Sequence, residues 1–134
     1  MPVTYIIDTT RKLIRIQCSG AVTLADVVDH CAKLKDDPAC AGHLDVMLDV
    51  RESDTLPESK DLRIANSHVA AVRGKVEFGR CAIVANRDAM FGMMRMFGIF
   101  AEKDFREIHV FRGTSEAEAW LNPQQGEDAT RSLS

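Results

Sequence analysis

The stretch Leu44–Val50 reads LDVMLDV, and its apolar centre decides the fold class. A short apolar run of this kind is typical of a β-strand that is covered on both faces of its sheet. Such strands occur mainly in parallel sheets, where crossover connections place helices over the sheet. Helical patterns are therefore expected on either side of this strand along the chain.

Both expected helical patterns are present. Before the strand, apolar residues recur at helical spacing over residues 24–34, and Thr23 and Asp26 are placed to form a capping box at the start of that helix. After the strand, a second helix is predicted to begin with a cap at Thr55 and to run to about Val72. The middle of the chain therefore indicates an α-β-α arrangement.

The remaining segments extend this pattern in both directions. Two β-rich runs, Thr4–Asp8 and Lys12–Ser19, are separated by only three residues, and so short a gap suits a hairpin with antiparallel strands. The later predicted elements are a fourth strand at Arg80–Ala85, a Met-rich third helix from Asp88 to Glu102, a fifth strand at Glu107–Phe111 and a last helix at Ser115–Leu121. The order β-β-α-β-α-β-α-β-α predicts one α/β domain over residues 1–121, whose mixed five-stranded sheet has its first strand antiparallel. Residues 122–134 are polar and unpatterned, and they are predicted to form a disordered tail.

Composition and charge narrow the class of function. The 134 residues are 46% hydrophobic and 28% charged, which is ordinary for a globular domain. Lys and Arg are scattered and the net charge is −3, so a nucleic-acid partner is not expected. The start of the chain has no signal-peptide pattern, and no apolar run reaches the roughly 18 residues of a membrane span, so we expect a cytoplasmic protein. The four cysteines should then be reduced, with Cys18, Cys31 and Cys81 buried as small apolar side chains.

No catalytic or metal site is predicted. Four potential ligands, His30, Cys31, Cys40 and His43, lie within fourteen residues. The adjacent positions 30 and 31 project about 100° apart on a helix and do not converge on one ion. The motifs GxSxG, GxGxxG and GxxxxGK[ST] are absent, and the histidines lie on separate elements. We therefore expect a protein that is not an enzyme and that binds neither a cofactor nor a metal.

The segment MFGMMRMFGIF, residues 90–100, offers two surfaces on the third helix. One arc suits packing against a sheet, and it contains Met90, Met93, Met94, Phe97 and Phe100. The second surface, here called the outer helix surface, consists of Phe91, Arg95, Met96 and Ile99. We predict that the outer helix surface contacts a protein, either a second copy of the chain or an unknown partner. The alternative is a small hydrophobic ligand in a cavity beneath the helix, lined by the residues of the first arc.

Several segments resemble bacterial SpoIIAA-like proteins, the group that shares its fold with STAS domains. They are TYIID, KLIRIQCSG, LDVMLDVR, RCAIVA, FGMMRMFGIF and the closing HVFRGTSEAEAWL, and together they span Thr4 to Leu121. The resemblance implies a mixed sheet with helices packed against it. It also implies a binding module, because the better-known STAS relatives are anti-sigma-factor antagonists switched by serine phosphorylation and cytoplasmic regulatory domains of transporters.

The resemblance raises the question of a phosphorylation switch. In those antagonists the phosphorylated serine lies after the third strand, in a DSSG-like turn that opens the second helix. The corresponding stretch here, Asp49–Thr55, reads DVRESDT and lacks that pattern. Ser53, Thr55 and Ser59 are the phospho-acceptors that remain, and a phosphate there would lie near a helix N-terminus, where exposed N–H groups favour an anion. Ordinary helix capping is the alternative role of Thr55 and Ser59.

The sequence thus predicts a non-enzymatic SpoIIAA-like interaction or regulatory domain that forms a homodimer through the outer helix surface. The alternative is a carrier of a small hydrophobic ligand with the same fold, because proteins of this appearance are sometimes grouped with lipid-binding Sec14-type domains. An enzyme whose site carries no recognisable motif is the third interpretation.

Overall fold

The structure, a computed structural model, describes residues 2–122. Its elements are β1 (Val3–Asp8), β2 (Leu13–Gly20), α1 (Leu24–Asp36), β3 (Gly42–Ser53), α2 (Ser59–Val72), β4 (Val76–Val84), α3 (Asp88–Phe100), β5 (Glu107–Phe111) and α4 (Thr114–Leu121). This order confirms the predicted one. The predicted tail, apart from residue 122, lies outside the described residues.

The five strands form one sheet in the order β1-β2-β3-β4-β5. Strand β1 pairs antiparallel with β2, and every other pairing is parallel, so the predicted fold class is confirmed. From β2 onward each new strand is added on the same side of the previous one. Since parallel crossovers are right-handed, the three connecting helices α1, α2 and α3 must lie on one face of the sheet.

The two faces of the sheet carry cores of different size. The face under α1–α3 holds the larger core, which includes Ile14, Val46 and Ile83 of the strands. The opposite face is covered by α4, whose Ala117 and Leu121 pack against a smaller apolar cluster from the strands. The larger space between sheet and helices is therefore on the α1–α3 side.

Hydrogen bonds fix the start of α1 and connect it to the segment that precedes α2. At α1 the predicted capping box is confirmed, because the Thr23 hydroxyl accepts from Asp26 N and the Asp26 carboxylate accepts from Thr23 N. The cap predicted at Thr55 is wrong, since α2 begins at Ser59. The hydroxyl of Thr55 instead accepts from the backbone N–H of Val22, 3.1 Å away. The segment between β3 and α2 is thereby tied to the start of α1.

All four cysteines are buried free thiols. Burial raises the pKa of Cys18 and of Cys31 to about 11, and that of Cys81 to about 12. Thiols of this kind are protonated and behave as small apolar side chains. The predicted burial of Cys18, Cys31 and Cys81 is confirmed.

Candidate functional site

An apolar cavity of about 420 Å³ lies between the sheet and helices α1, α2 and α3. Ligand-binding cavities in proteins commonly have volumes of about 300–1,000 Å³. An engineered apolar cavity of about 150 Å³ is already sufficient to bind benzene. The space beneath the three helices is therefore large enough for a small organic molecule.

The interior of the cavity is formed by aliphatic side chains of the sheet and of the facing helices. Ile16 of β2 and Leu48 of β3 lie on the covered face of the sheet, yet both are only half-buried. Val27 of α1 and Val69 of α2 line the opposite wall and are also half-buried. In a close-packed layer such residues would have no accessible surface. Their exposure shows that α1 and α2 do not fill the space above the central strands.

The cavity opens beside the starts of α1 and α2. Its exposed lining residues are Thr23, at the cap of α1, and Thr55, Leu56 and Glu58, which precede α2. Leu56 is 51% exposed, although it is a large apolar side chain. The opening thus lies at the carboxyl ends of the parallel strands, which is where open α/β sheets most often bind their ligands.

His30 of α1 is a polar residue in the cavity wall. Its side chain is almost fully buried, with 8% of the residue exposed. The ring of Tyr5 packs edge-on against the imidazole, with 5.4 Å between the centroids. Nδ1 has no hydrogen-bond partner among residues 2–122. Burial, with a smaller contribution from the charge of Lys33, lowers the pKa of His30 to about 4, so the imidazole is neutral at pH 7.

Among residues 2–122, the charged groups that line the cavity lie at its opening. Glu58 and Asp61 are the acidic lining residues, and the Asp61 carboxylate accepts a hydrogen bond from Glu58 N in the cap of α2. Over the described part of the chain, no Lys or Arg contributes to the lining. A negatively charged ligand group would therefore find no cation in the wall to pair with.

The structure places three of the five residues predicted to line a pocket in the cavity wall. Met90, Met94 and Phe97 are buried and belong to the cavity wall. Met93 and Phe100 are half-buried and lie outside the lining. Phe100 instead packs beneath the guanidinium of Arg63, which is 4.7 Å from the ring centroid. Helix α3 thus supplies only one end of the cavity.

The predicted outer helix surface is largely brought together. Arg95, Met96 and Ile99 are exposed on the same side of α3, and Ile99 is 69% exposed. Phe91 lies at the edge of that surface and is half-buried against the core. The guanidinium of Arg112 covers the Phe91 ring at 4.3 Å from its centroid. Three of the four side chains are therefore available for contact.

The three predicted phospho-acceptors differ in access. Ser53 is 4% exposed, and its hydroxyl donates to the carbonyl of Thr55. Thr55 and Ser59 are exposed, and Ser59 is the first residue of α2. Of these three residues, only Thr55 and Ser59 lie at the surface, and Thr55 lines the opening of the cavity.

The other potential catalytic and metal-binding side chains are dispersed. Within residues 2–122, no group of three or more His, Cys, Asp or Glu side chains is placed to hold a metal ion. His109 lies on the opposite face of the sheet, where its ring packs edge-on against Trp120 at 5.0 Å. The sequence interpretation missed the role of His30 in the cavity wall. The one available signal was a polar residue within the apolar face of a helix.

The fold is that of a small α/β domain of the STAS type. Comparison with known protein families matches residues 13–122 to the SpoIIAA-like family, and the chain belongs to that family. The resemblance seen in the sequence is thereby confirmed. No curated protein matches the chain. None of the helices in the described range is both long and apolar enough to cross a bilayer.

Proposed function

We propose that this SpoIIAA-like domain is a non-enzymatic protein that binds a small hydrophobic ligand in the cavity beneath α1–α3. The observation that carries the proposal is the apolar cavity of about 420 Å³ with an opening at the carboxyl ends of the strands. The wall of this cavity is mostly apolar, and covering apolar surface that water would otherwise contact is favourable. A bound apolar ligand would cover that surface.

A binding role is supported over catalysis by the surroundings of His30, which is the only histidine among residues 2–122 that lines the cavity. His30 is not hydrogen-bonded to any hydroxyl, thiol or carboxylate of the described chain. Nucleophilic and general acid–base sites need such a partner to activate or orient the histidine. The lining instead offers mostly aliphatic and aromatic surface, which suits retention of an apolar molecule.

Two measurements test ligand binding. Native mass spectrometry of the purified protein, with extraction into organic solvent, is expected to reveal a co-purifying apolar molecule. After removal of that molecule, the apolar dye diphenylhexatriene is expected to bind with a stoichiometry of one and to become fluorescent. A protein that carries no such molecule and does not bind the dye would contradict the proposal.

Self-association through the outer helix surface is a second candidate function. It is supported by the exposure of Ile99 and Met96 on one side of α3 beside Arg95. A stable interface buries about 800 Å² on each partner, so this contact would have to extend beyond three side chains. In a homodimer formed by α3 against α3, two-fold symmetry would bring the same three side chains of both partners together, and neighbouring residues would have to supply the remaining area.

The self-association proposal is tested by light scattering on the double variant Met96→Ser/Ile99→Ser. A dimeric wild type should become monomeric in this variant and stay dimeric in the control Ile64→Ser, which removes an exposed apolar side chain from α2. Phe91 is left unchanged because it packs against the core, and its loss would affect folding. A wild type that is already monomeric would refute this candidate without affecting ligand binding.

Phosphorylation remains a further proposal for the exposed hydroxyls of Thr55 and Ser59. A phosphate at Ser59 would lie in the first turn of α2, where the helix N-terminus favours an anion. The neighbouring Glu58 and Asp61 already occupy that turn and would repel it. Mass spectrometry of the protein isolated from its own cells would show whether either residue is modified.

A further inference from the structure

Strand β1 forms one edge of the sheet, and its outer side is unpaired within residues 2–122. The strand order places β2 on one side of β1 and no strand of the described chain on the other. An open edge presents a row of free backbone N–H and C=O groups that can pair with a strand of another chain. The edge of β1 is therefore a candidate contact surface.

The pairing of β1 with β2 determines which backbone groups point outward. The carbonyl of Pro2 accepts a hydrogen bond from Ser19 N at 2.8 Å, so this opposed pair is a hydrogen-bonded one. Such pairs alternate with non-hydrogen-bonded pairs along an antiparallel ladder, so the backbone groups of Thr4 and Ile6 also bond to β2. The outward N–H and C=O groups are therefore those of Val3, Tyr5 and Ile7.

Strand β1 lacks the features that usually keep edge strands from pairing. Natural edge strands are protected by charged side chains, by proline or by a β-bulge. Residues 3–7 are uncharged and contain no proline, and their register with β2 is unbroken. The other edge strand, β5, is shorter, begins with Glu107 and is followed by Arg112. Of the two edges, β1 is the one that is open to pairing.

An apolar side chain is exposed in the middle of this edge. Ile6 is 70% exposed, the largest fraction among the large apolar residues of the described chain. Because side chains alternate along a strand and Tyr5 packs on the α1–α3 side, Ile6 lies on the opposite face of the sheet. Helix α4 packs on that face but leaves Ile6 and the neighbouring Thr4 exposed.

A second copy of the chain fits this edge because β1 is complementary to itself in one antiparallel register. With Tyr5 opposite Tyr5 of the second copy, Val3 lies opposite Ile7, and three pairs exchange two hydrogen bonds each. Every outward backbone group of the three residues is then used. Thr4 faces Ile6 of the second copy, and Asp8 faces Pro2, so that no like charges are opposed.

We infer that the protein forms a homodimer in which β1 pairs antiparallel with β1 of a second copy, with Tyr5 at the two-fold axis, so that the two sheets become one. The contact is separate from the outer helix surface, since α3 packs beside β5 at the other edge of the sheet. It also does not depend on ligand binding. One strand pair buries less than the roughly 800 Å² per partner of a standard interface, so the dimer should dissociate on dilution.

The contact is tested by sedimentation equilibrium with two matched variants. Ile6→Glu is expected to raise the dissociation constant of the dimer at least about tenfold, because it removes the apolar contact and brings two carboxylates close together. The monomer should tolerate the change, since residue 6 is exposed and lies opposite Arg15 of β2. Ile99→Glu makes the same change at an equally exposed residue of α3 and should leave the dissociation constant within about twofold of the wild type.

Two results of this experiment would overturn the inference. One is a wild-type protein that stays monomeric up to about 1 mM. The other is a dimer that Ile6→Glu does not weaken more than Ile99→Glu does. If Ile99→Glu alone dissociates the dimer, the contact is made by α3 instead.

The register is tested by disulfide cross-linking in a glutathione redox buffer. Opposed residues of a non-hydrogen-bonded pair have Cα atoms about 4.5 Å apart, which a disulfide can bridge. A mixture of Thr4→Cys and Ile6→Cys should therefore give a covalent heterodimer, whereas neither variant alone should cross-link. The four native cysteines are buried and should not compete. Absence of the heterodimer, or efficient cross-linking of Ile6→Cys to itself, would overturn the assigned register.

Amide hydrogen exchange of the wild type gives a test that needs no variant. The amides of Tyr5 and Ile7 should exchange at least about tenfold more slowly in concentrated than in dilute protein, because only the dimer gives them partners. The amides of Thr4 and Ile6 bond to β2 within one copy and should be protected at both concentrations. Exchange at Tyr5 and Ile7 that does not depend on concentration would contradict pairing at this edge.

Discussion

Replacement of Ala65 by Leu is expected to stabilise the protein, because the added atoms would enter the cavity. Ala65 lies on α2, lines the cavity and is nearly buried. Leucine adds three carbon atoms, and burying each is worth about 0.8 kcal/mol, or about 2.4 kcal/mol in all. Fixing the leucine rotamer costs about 0.5–1 kcal/mol. The free energy of unfolding should therefore rise by about 1.5–2 kcal/mol.

Ala117→Leu is the matched control, since it makes the same change in a helix that packs closely on the sheet. Ala117 of α4 is fully buried and does not line the cavity. Extra carbons in a well-packed core typically cost about 1–3 kcal/mol. Urea denaturation followed by circular dichroism should thus give changes of opposite sign for the two variants. Ala65→Leu should also weaken binding of diphenylhexatriene, because part of the cavity is then filled.

The sign of the change in stability is the decisive outcome. If Ala65→Leu loses stability by the same amount as Ala117→Leu, α2 packs on the sheet as closely as α4 does. The cavity would then be absent in solution, and the ligand-binding proposal would lose the observation that carries it. An unchanged slope of the denaturation curve is needed for the comparison, because a changed slope would indicate a different denatured state.

Three further predictions concern residues that fix the site or the fold. Burial lowers the pKa of His30 from 6.5 to about 4 in the folded protein, so between these two pH values the unfolded state binds more protons. The contribution of His30 to the free energy of unfolding should therefore fall by about 3 kcal/mol as the pH drops from 6.5 to 4. Urea denaturation across this range should show the loss, and the loss should be smaller by about that amount in His30→Phe. A Cβ at Gly79 would overlap the Asp45 carboxylate, so Gly79→Ala should lower the free energy of unfolding by about 2 kcal/mol or more. Gly92→Ala, at an open position in a helix, should raise it by up to about 1 kcal/mol. Equal effects of the two substitutions in the same assay would contradict this. The ammonium of Lys75 donates to three carbonyls at the end of α1, so Lys75→Met should lower the free energy of unfolding by about 2 kcal/mol. An unchanged stability in thermal denaturation would show that these hydrogen bonds contribute little.

The elements that could be predicted are those whose cause is local in the sequence. The bounds of β5 at Glu107–Phe111 were predictable because alternation and flanking polar residues mark both ends. The capping box of Thr23 and Asp26 involves residues only three positions apart. In both cases residues that are close together in the sequence determine where the element begins or ends.

The elements that were mispredicted depend on contacts between distant parts of the chain. Thr55 has the sequence signature of a cap, but its hydroxyl is taken by Val22, 33 positions earlier. Strand β4 begins at Val76, before the predicted start at Arg80, and includes Gly79. There the Asp45 carboxylate lies against the β4 backbone and accepts from Arg80 N at 2.8 Å. Only a residue without a side chain fits at that position, and nothing near it in the sequence indicates why.

A cavity beneath the third helix was one of two alternatives in the sequence, but its position and most of its wall could not be predicted, for a related reason. Helical periodicity identifies the side of a helix that faces the sheet, but it does not give the distance between the two. The helical pattern places Val27 and Val69 on the inner sides of α1 and α2, and it would be the same if these helices packed closely on the sheet. The Met-rich segment drew attention to α3, although most of the cavity wall comes from the other two helices and the strands.

Helix α3 connects the two candidate functions, because its inner side lines the cavity and its outer side carries the surface proposed for self-association. Met90, Met94 and Phe97 face the cavity, and Met96 and Ile99 face outward. A ligand that moves the first side displaces the second as well, since the backbone of a helix behaves as one body over a few turns. Ligand binding and self-association, if both occur, would then be thermodynamically linked, so that each changes the affinity of the other by the same factor. The proposed carrier and the proposed interaction domain are therefore compatible descriptions, and the linkage between them would make the protein a regulatory one.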